Sequence, residues 1–392
     1  MVSFDVGLDG EMESVSSGAA ATDCAADGTR CRERAGGAVD ADIMSGVQES
    51  GEDDEHESDA SAEISSMQEM SDKISQHSRR SSLNWPLFPY AGRKGKVADL
   101  IWETFGDVEL YCEPFAGALA VLLARPREHV NRRAMVSDWS GHIVNIWRSV
   151  KHAPKELARQ IELNAQVSEH HLLAMSNALG RHNEQLPELL ESDPEKCDPK
   201  VAAWYIVAAC LVVGPRGLGQ DGNRKRVHFL FVPSGAMIRS QEDVKRRLFD
   251  ISRQLRDAAI LRRDALEIID RFQRVATYDC YKTMGLFVDP PYSPQMCDSG
   301  GLYGKNADDQ IAQRAAARCI DLADKTDYKI AFCGYDGEHN FPQNWITYEW
   351  KASAGYSRFA KGETRGKTNR FKERIWFSPS CRRAKQLELS LG

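Results

Sequence analysis

The 392-residue chain has no Cys-x-x-Cys pair and none of the cysteine and histidine spacings that hold zinc. Its ten cysteines stand singly, which argues against a zinc module and a disulfide framework. Scattered cysteines beside so much α/β character suit a reduced, intracellular protein. Long hydrophobic runs are missing too. The longest, Val201 to Val213, has 13 residues, too few to span a bilayer, and reads as a buried helix. No basic region followed by an apolar stretch opens the sequence, so a secretory signal is not expected. A cytoplasmic protein without a membrane partner is the expectation. Internal repeats are not evident.

Aromatic residues are scarce at the beginning: Phe4 is the only one in the first 80 positions. That stretch holds 19 acidic and 6 basic residues and is rich in Ser, Ala and Gly. It cannot bury enough apolar surface to offset the entropy of ordering, so residues 1–82 are expected to be a disordered acidic tail. The remaining 312 residues carry 45 basic and 38 acidic side chains. The net charge of −6 for the whole chain therefore hides a mildly basic folded part, of a kind that suits phosphate binding. Some 310 residues are ample for one α/β core with an inserted subdomain.

What is present is most telling at Asp289-Pro290-Pro291-Tyr292, which closes the apolar run Gly285-Leu286-Phe287-Val288. A carboxylate, two prolines and an aromatic ring thus end a buried strand. The grouping suits methylation of an exocyclic amino group on a flat heterocycle. Such an amine is a poor nucleophile, because its lone pair is delocalised into the ring. An acceptor for its hydrogens lets the nitrogen pyramidalise toward a methyl donor. Asp289 can be that acceptor and the Pro290 carbonyl a second. Proline has a fixed φ and no N–H, which lets nearby carbonyls point into a cleft. Tyr292 offers a face for an extruded base. The plainer alternative is a Pro-Pro turn with Tyr292 as packing.

Upstream, Val108 to Cys112 reads as a strand running into Glu113-Pro114-Phe115-Ala116-Gly117, and Ala118 to Ala124 as a small-residue helix. Strand, glycine turn and helix open a doubly wound domain, whose crevice lies at the strand C-termini. Glu113 is placed there to meet a cation. Ala134 to Asp138 is a second strand ending in a carboxylate, placed for ribose hydroxyls. Helical periodicity follows from Ile143 to Val150 and, in a polar stretch, from Pro154 to Leu179. His152, His170, His171 and His182, in and around that stretch, have no carboxylate or cysteine at ligand spacing and read as surface residues. Later, Arg239 to Leu255 and Ala307 to Lys325 read as helices, with strands from Ile260 and over Tyr328 to Cys333 and Arg374 to Phe377.

The order Tyr90-x-Gly92-x-Lys94, Glu113-Pro-Phe-Ala-Gly117, Ser137-Asp138 and Asp289-Pro-Pro-Tyr292 resembles the D12-class DNA adenine methyltransferases. The resemblance runs from about residue 86 to 378. It implies a Rossmann-like core, a mostly parallel sheet with helices on both faces, and an inserted, mainly helical target-recognition subdomain. It also implies S-adenosylmethionine as donor, adenine N6 in double-stranded DNA as acceptor, and no metal. A restriction-modification setting is one such context. Carried over by position, Tyr90, Gly92 and Lys94 lie beside donor and base. Glu113, Phe115 and Gly117 hold the donor, Asp138 its ribose, and Asp264 its adenine, while Asp289, Pro290, Pro291 and Tyr292 are catalytic. Where the family usually has a second glycine this chain has Leu119, which either crowds the donor or sits on the helix facing the sheet.

The expected layout is core over residues 83–152, recognition insertion over 153–257, core again over 258–380 and a tail over 381–392. Within the insertion, the loop of residues 214–226 carries Arg216, Arg224, Lys225 and Arg226, which can reach phosphates and base edges. A strand over Val227 to Val232 and a second basic loop, Arg358 to Arg370, complete the expectation. Three alternatives stay open: a weak or inactive DNA-binding homologue, an enzyme acting on RNA or on cytosine N4, and a small-molecule methyltransferase, which would leave the two basic loops unexplained.

Overall fold

The computed structural model describes residues 85–90, 92–129, 132–212, 218, 235–275, 281–292, 310–350 and 372–382. The acidic tail, the Val227 to Val232 strand, Arg216, Arg224, Lys225 and Arg226, and the Arg358 to Arg370 loop lie outside the described residues.

Among the described residues, seven strands form one sheet. In chain order they are β1 (Leu110–Glu113), β2 (Arg133–Ser137), β3 (Ala258–Leu261), β4 (Met284–Val288), β5 (Lys329–Tyr335), β6 (Ile346–Glu349) and β7 (Glu373–Phe377). Their spatial order is β3-β2-β1-β4-β5-β7-β6. The first five are parallel, while β7 runs antiparallel to β5 and to β6.

Both faces of the sheet are covered, as parallel strands require. Side chains alternate accordingly. Tyr111, Phe287, Ala331, Cys333, Ile375 and Phe377 point to one core, and Leu110, Cys112, Leu286, Ile330 and Phe332 to the other. The second core is closed by α7 (Ala265–Val275) and α8 (Ile311–Lys325).

The first core is larger. It takes in α1 (Ala98–Phe105), α2 (Gly141–His152), α3 (Pro154–Leu163), α4 (Glu169–Ser192), α5 (Pro199–Leu211) and α6 (Gln241–Gln254). Helix α5 is apolar on all sides and sits centrally, with α2, α3 and α4 packed around it. The helices of residues 153–257 thus share one continuous hydrophobic cluster with the sheet.

Two helix expectations need correction. Pro154 to Leu179 is not one helix: α3 stops before Asn164, and α4 starts anew behind a Ser168 cap that accepts from the His171 N–H. Nor is Ala118 to Ala124 an α-helix. Only Leu122–Ala124 winds, as a 3-10 turn. The cause is backbone: Gly117 (φ 44°) and Leu119 (φ 49°) are both left-handed, so right-handed winding cannot start there. No described helix is long and apolar enough to cross a membrane.

Candidate active site

Strand order reverses between β1 and β4, because β2 follows β1 on one side while β4 joins it on the other. Ligand crevices of open α/β sheets form at such a point, beyond the strand C-termini. Cys112 pairs with Leu286, so Glu113 and Asp289 both lie at that end, Asp289 two residues beyond the position that follows Leu286. The sheet therefore brings two carboxylates from distant parts of the sequence to one edge.

Glu113 ends β1 and is 3% exposed. Its Oε2 accepts a hydrogen bond from the Tyr111 hydroxyl at 2.9 Å. Burial pushes its carboxyl well above the usual range; the Tyr111 bond opposes this, while Asp289 and Asp138 add repulsion. Arg125 is a cation that interacts with it, and burial still disfavours the charged form.

Gly117 needs its lack of a side chain for two reasons. Its φ is left-handed, and a Cβ there would lie 2.7 Å from Cε1 of Tyr90. The ring of Tyr90 thus rests against the glycine turn. Asp138 fixes the same turn from the next strand: Oδ2 accepts from the Gly117 N–H at 2.9 Å and Oδ1 from the Ser140 N–H at 2.8 Å. The Gly117 carbonyl accepts from the Trp147 indole at 2.8 Å. Phe115 is half-buried and packs toward the opposite core.

Leu119 does not enter the crevice. Its side chain is fully buried in the larger core. Left-handed backbone costs a side-chain-bearing residue about 1–2 kcal/mol, and burying a leucine returns about 1.5–3 kcal/mol. This arrangement makes an unusual ranking. Leu119→Gly is expected to destabilise less than Leu119→Ala, by about 1 kcal/mol, because only glycine is free of the backbone strain. Urea unfolding of both variants tests this; an alanine variant more stable than the glycine one would show the backbone to be unstrained.

Asp289 lies just past β4 and is bound from the first motif. Lys94 Nζ donates to Asp289 Oδ2 at 2.8 Å and to the Gly92 carbonyl at 2.7 Å. The left-handed φ of Gly92, 75°, folds this turn back on itself. Burial pushes Lys94 down, but Asp289 and Glu373 outweigh it and hold the ammonium charged. Burial likewise pushes Asp289 up, with Lys94 drawing it back. Tyr292 is buried; its hydroxyl donates to Asp289 Oδ1 at 3.3 Å, and its ring lies 4.4 Å from that of Tyr335. Pro290 is buried and Pro291 half-buried between them.

Asp264 sits one strand further out, after β3, and is occupied locally. Its Oδ1 accepts from the Leu266 and Glu267 N–H groups at 2.8 and 3.3 Å, capping α7. Three residues at this edge escaped the sequence reading. Trp139, next to Asp138, is 67% exposed, with the Arg262 guanidinium over its ring at 4.8 Å. Glu373 is buried, 3.9 Å from Lys94 Nζ. Tyr111 holds Glu113, and only its spacing of two on the same strand face hinted at this.

No group of His, Cys, Asp or Glu that could hold a metal occurs among the described residues. A small cavity of about 110 Å³ lies elsewhere, bordered by Ile161, Leu211 and Val244, and no expected site residue lines it.

Residues 90–188 match a family model described as D12 class N6 adenine-specific DNA methyltransferase. No curated protein matches the chain. The matched span includes Tyr90, Lys94, Glu113, Gly117 and Asp138, and it ends well before Asp289. It indicates a DNA methyltransferase enzyme, and S-adenosylmethionine-dependent adenine methylation as its activity.

Proposed function

We propose that this DNA methyltransferase of the D12 class methylates adenine N6 in double-stranded DNA, acting on a base turned out of the helix. The observation that carries the reading is the pair of carboxylates at the strand switch point: Glu113 beside the glycine turn and Asp289 beside Tyr292. The first suits a cationic donor and the second an amine acceptor. The residues at the edge fit S-adenosylmethionine in kind. Glu113 is a buried carboxylate whose charged form burial disfavours, Gly117 is a side-chain-free turn lined by the Tyr90 ring, and Trp139 is an exposed flat face beside Asp138.

The donor brings an activated sulfonium methyl, so the protein's task is placement. Glu113 holds the cationic end, with Phe115 and the Gly117 turn shaping the pocket. Asp138 already fastens the turn through Gly117 and Ser140, and its remaining lone pairs can take ribose hydroxyls. We assign the donor's adenine to Trp139 rather than to Asp264, whose Oδ1 is occupied as a helix cap. Tyr90 and Gly92 frame the other side, and Lys94 pairs with Asp289 before a base is bound.

Asp289 and the Pro290 carbonyl accept the amino hydrogens of the target, whose ring lies on Tyr292. With the donor bound, these two acceptors would hold the nitrogen lone pair facing the donor's methyl group. The proton that the methylated amine gives up would pass to the Asp289 carboxylate. Preorganised acceptors aimed at that developing positive charge supply the acceleration. Residues 153–257 are proposed to read the DNA, with Arg216, Arg224, Lys225 and Arg226 on phosphates.

Incubating matched DNA and RNA oligonucleotides with labelled donor, and mapping the modified base, tests the reading. N6-methyladenine in duplex DNA is expected. Label only in RNA, or on cytosine N4, replaces it with the corresponding alternative. Trp139→Ala is expected to weaken donor binding about tenfold, since base–aromatic stacking is worth about 1–3 kcal/mol. Calorimetry checks this, and an unchanged Kd removes Trp139 from the site.

A further inference from the structure

Lys94 stands on both surfaces that an extruded adenine needs. Its Nζ is 2.8 Å from the Asp289 carboxylate and 5.2 Å from the centre of the Tyr292 ring. An amino group donating to Asp289 meets the ammonium, and so does a base lying on Tyr292. Lys94 has to give way. It is 2% exposed, so solvent is not an easy refuge for the charge. A buried ammonium stripped of its partner is strongly unfavourable.

A second partner is already in place. Glu373 opens β7, paired across the sheet with Tyr335, on the same strand face as Ile375 and Phe377. Its Oε2 lies 3.9 Å from Lys94 Nζ, and that oxygen is buried without a hydrogen-bond partner. A buried acceptor left unmatched is costly and calls for an explanation. Charge-assisted N–H···O bonds are about 2.7–2.9 Å long, so a shift of roughly one ångström makes one. Burial holds the Glu373 carboxyl above its usual range, with Lys94 opposing and Asp289 adding to the rise. The approach of the ammonium favours its ionised form.

We infer that Glu373 is a positioning residue, the alternate counter-ion that receives Lys94 when Asp289 turns to the target amine. Resting on the Asp289 reading above, it keeps the lysine paired before and after the base enters. The ammonium moves between two carboxylates and is never left without one. Removing Lys94 from Asp289 also draws one cation away from the nitrogen that becomes positive during transfer. Glu373 acts through Lys94 and touches neither base nor donor.

The crystal structure of full-length Asp289→Asn decides the point. With the first carboxylate neutralised in place, Lys94 Nζ is expected within hydrogen-bond distance of Glu373 Oε2. Lys94 still closer to position 289, or turned out to solvent, overturns the inference. A kinetic arm adds a readout that packing alone would not move. Glu373→Gln should lower kcat at least tenfold while KM for duplex DNA and the donor Kd stay unchanged. Equal losses in kcat and in KM, or an unchanged kcat, count against Glu373. Should the wild-type protein transfer no methyl to adenine, the functional proposal fails, whereas the position of Lys94 in Asp289→Asn still answers for Glu373.

Discussion

Asp289→Ala is expected to reduce methyl transfer to adenine by about a thousand-fold or more, with donor affinity little changed. Removing one preorganised group that meets developing charge typically costs about 10²–10³ in kcat. Here the loss is larger in kind, because three things go with it. The amine loses its carboxylate acceptor, the Tyr292 hydroxyl loses the oxygen it donates to at 3.3 Å, and Lys94 loses its nearer counter-ion. Glu113 and the Gly117 turn are untouched, which is why donor binding survives. Stability should fall by less than the roughly 3–5 kcal/mol typical of breaking a buried ion pair, since Glu373 remains within reach of the ammonium. Single-turnover transfer and donor calorimetry on the same preparation separate the two steps. Turnover near the wild-type rate would remove Asp289 from the chemistry; lost donor binding would move it to the donor pocket.

That Asp289 could be picked out from sequence has a physical reason. Strand β4 is buried on both faces, so it reads as an unbroken apolar run, and the polar residue ending it can only face the crevice. The carboxylates ending β1 and following β2 were legible on the same ground, since strands set their directions locally. Glu373 was not. It belongs to an antiparallel strand near the end of the chain, and only the register Tyr335 to Glu373 brings it to Lys94. Nothing in the neighbouring residues encodes that pairing. Trp139 was visible as a residue, but its exposure and its contact with Arg262, which follows another strand, are set by the tertiary fold. The misread helix after Gly117 has the opposite cause. Ala118, Leu119 and Ala120 have good helical propensity, yet a left-handed leucine in the middle is a tertiary bargain struck by burial in the core. Similarly, the break between α3 and α4 rests on a Ser168–His171 cap, where a sequence reader looks for Glu or Gln at the third position.

Glu113→Gln is expected to weaken S-adenosylmethionine binding about a hundred-fold and, at the same time, to stabilise the fold at neutral pH. The two effects share one cause. Burial, reinforced by Asp289 and Asp138, lifts the folded-state pKa of Glu113 well above that of the unfolded chain. A carboxyl lifted in this way subtracts stability when ionised, and the loss is recovered as pH falls through the folded pKa. Glutamine removes the charge but keeps an oxygen for the Tyr111 hydroxyl, so the midpoint of thermal unfolding should rise. Donor affinity runs the other way. A cation beside Glu113 favours the ionised form, so wild-type affinity is greatest above the raised pKa and weakens as pH drops through it. Losing one partner of a buried charge pair costs about 2–5 kcal/mol, which sets the expected size. In Glu113→Gln that limb of the pH dependence should disappear. Asp138 and Asp289 are also pushed up by burial, so any limb that persists in the variant belongs to them. Calorimetric titration of donor into both proteins over a broad pH range reads affinity and proton exchange together. A Glu113→Gln protein that binds the donor as tightly as wild type, with the same pH profile, would leave the buried carboxylate of β1 without a part in holding the cation.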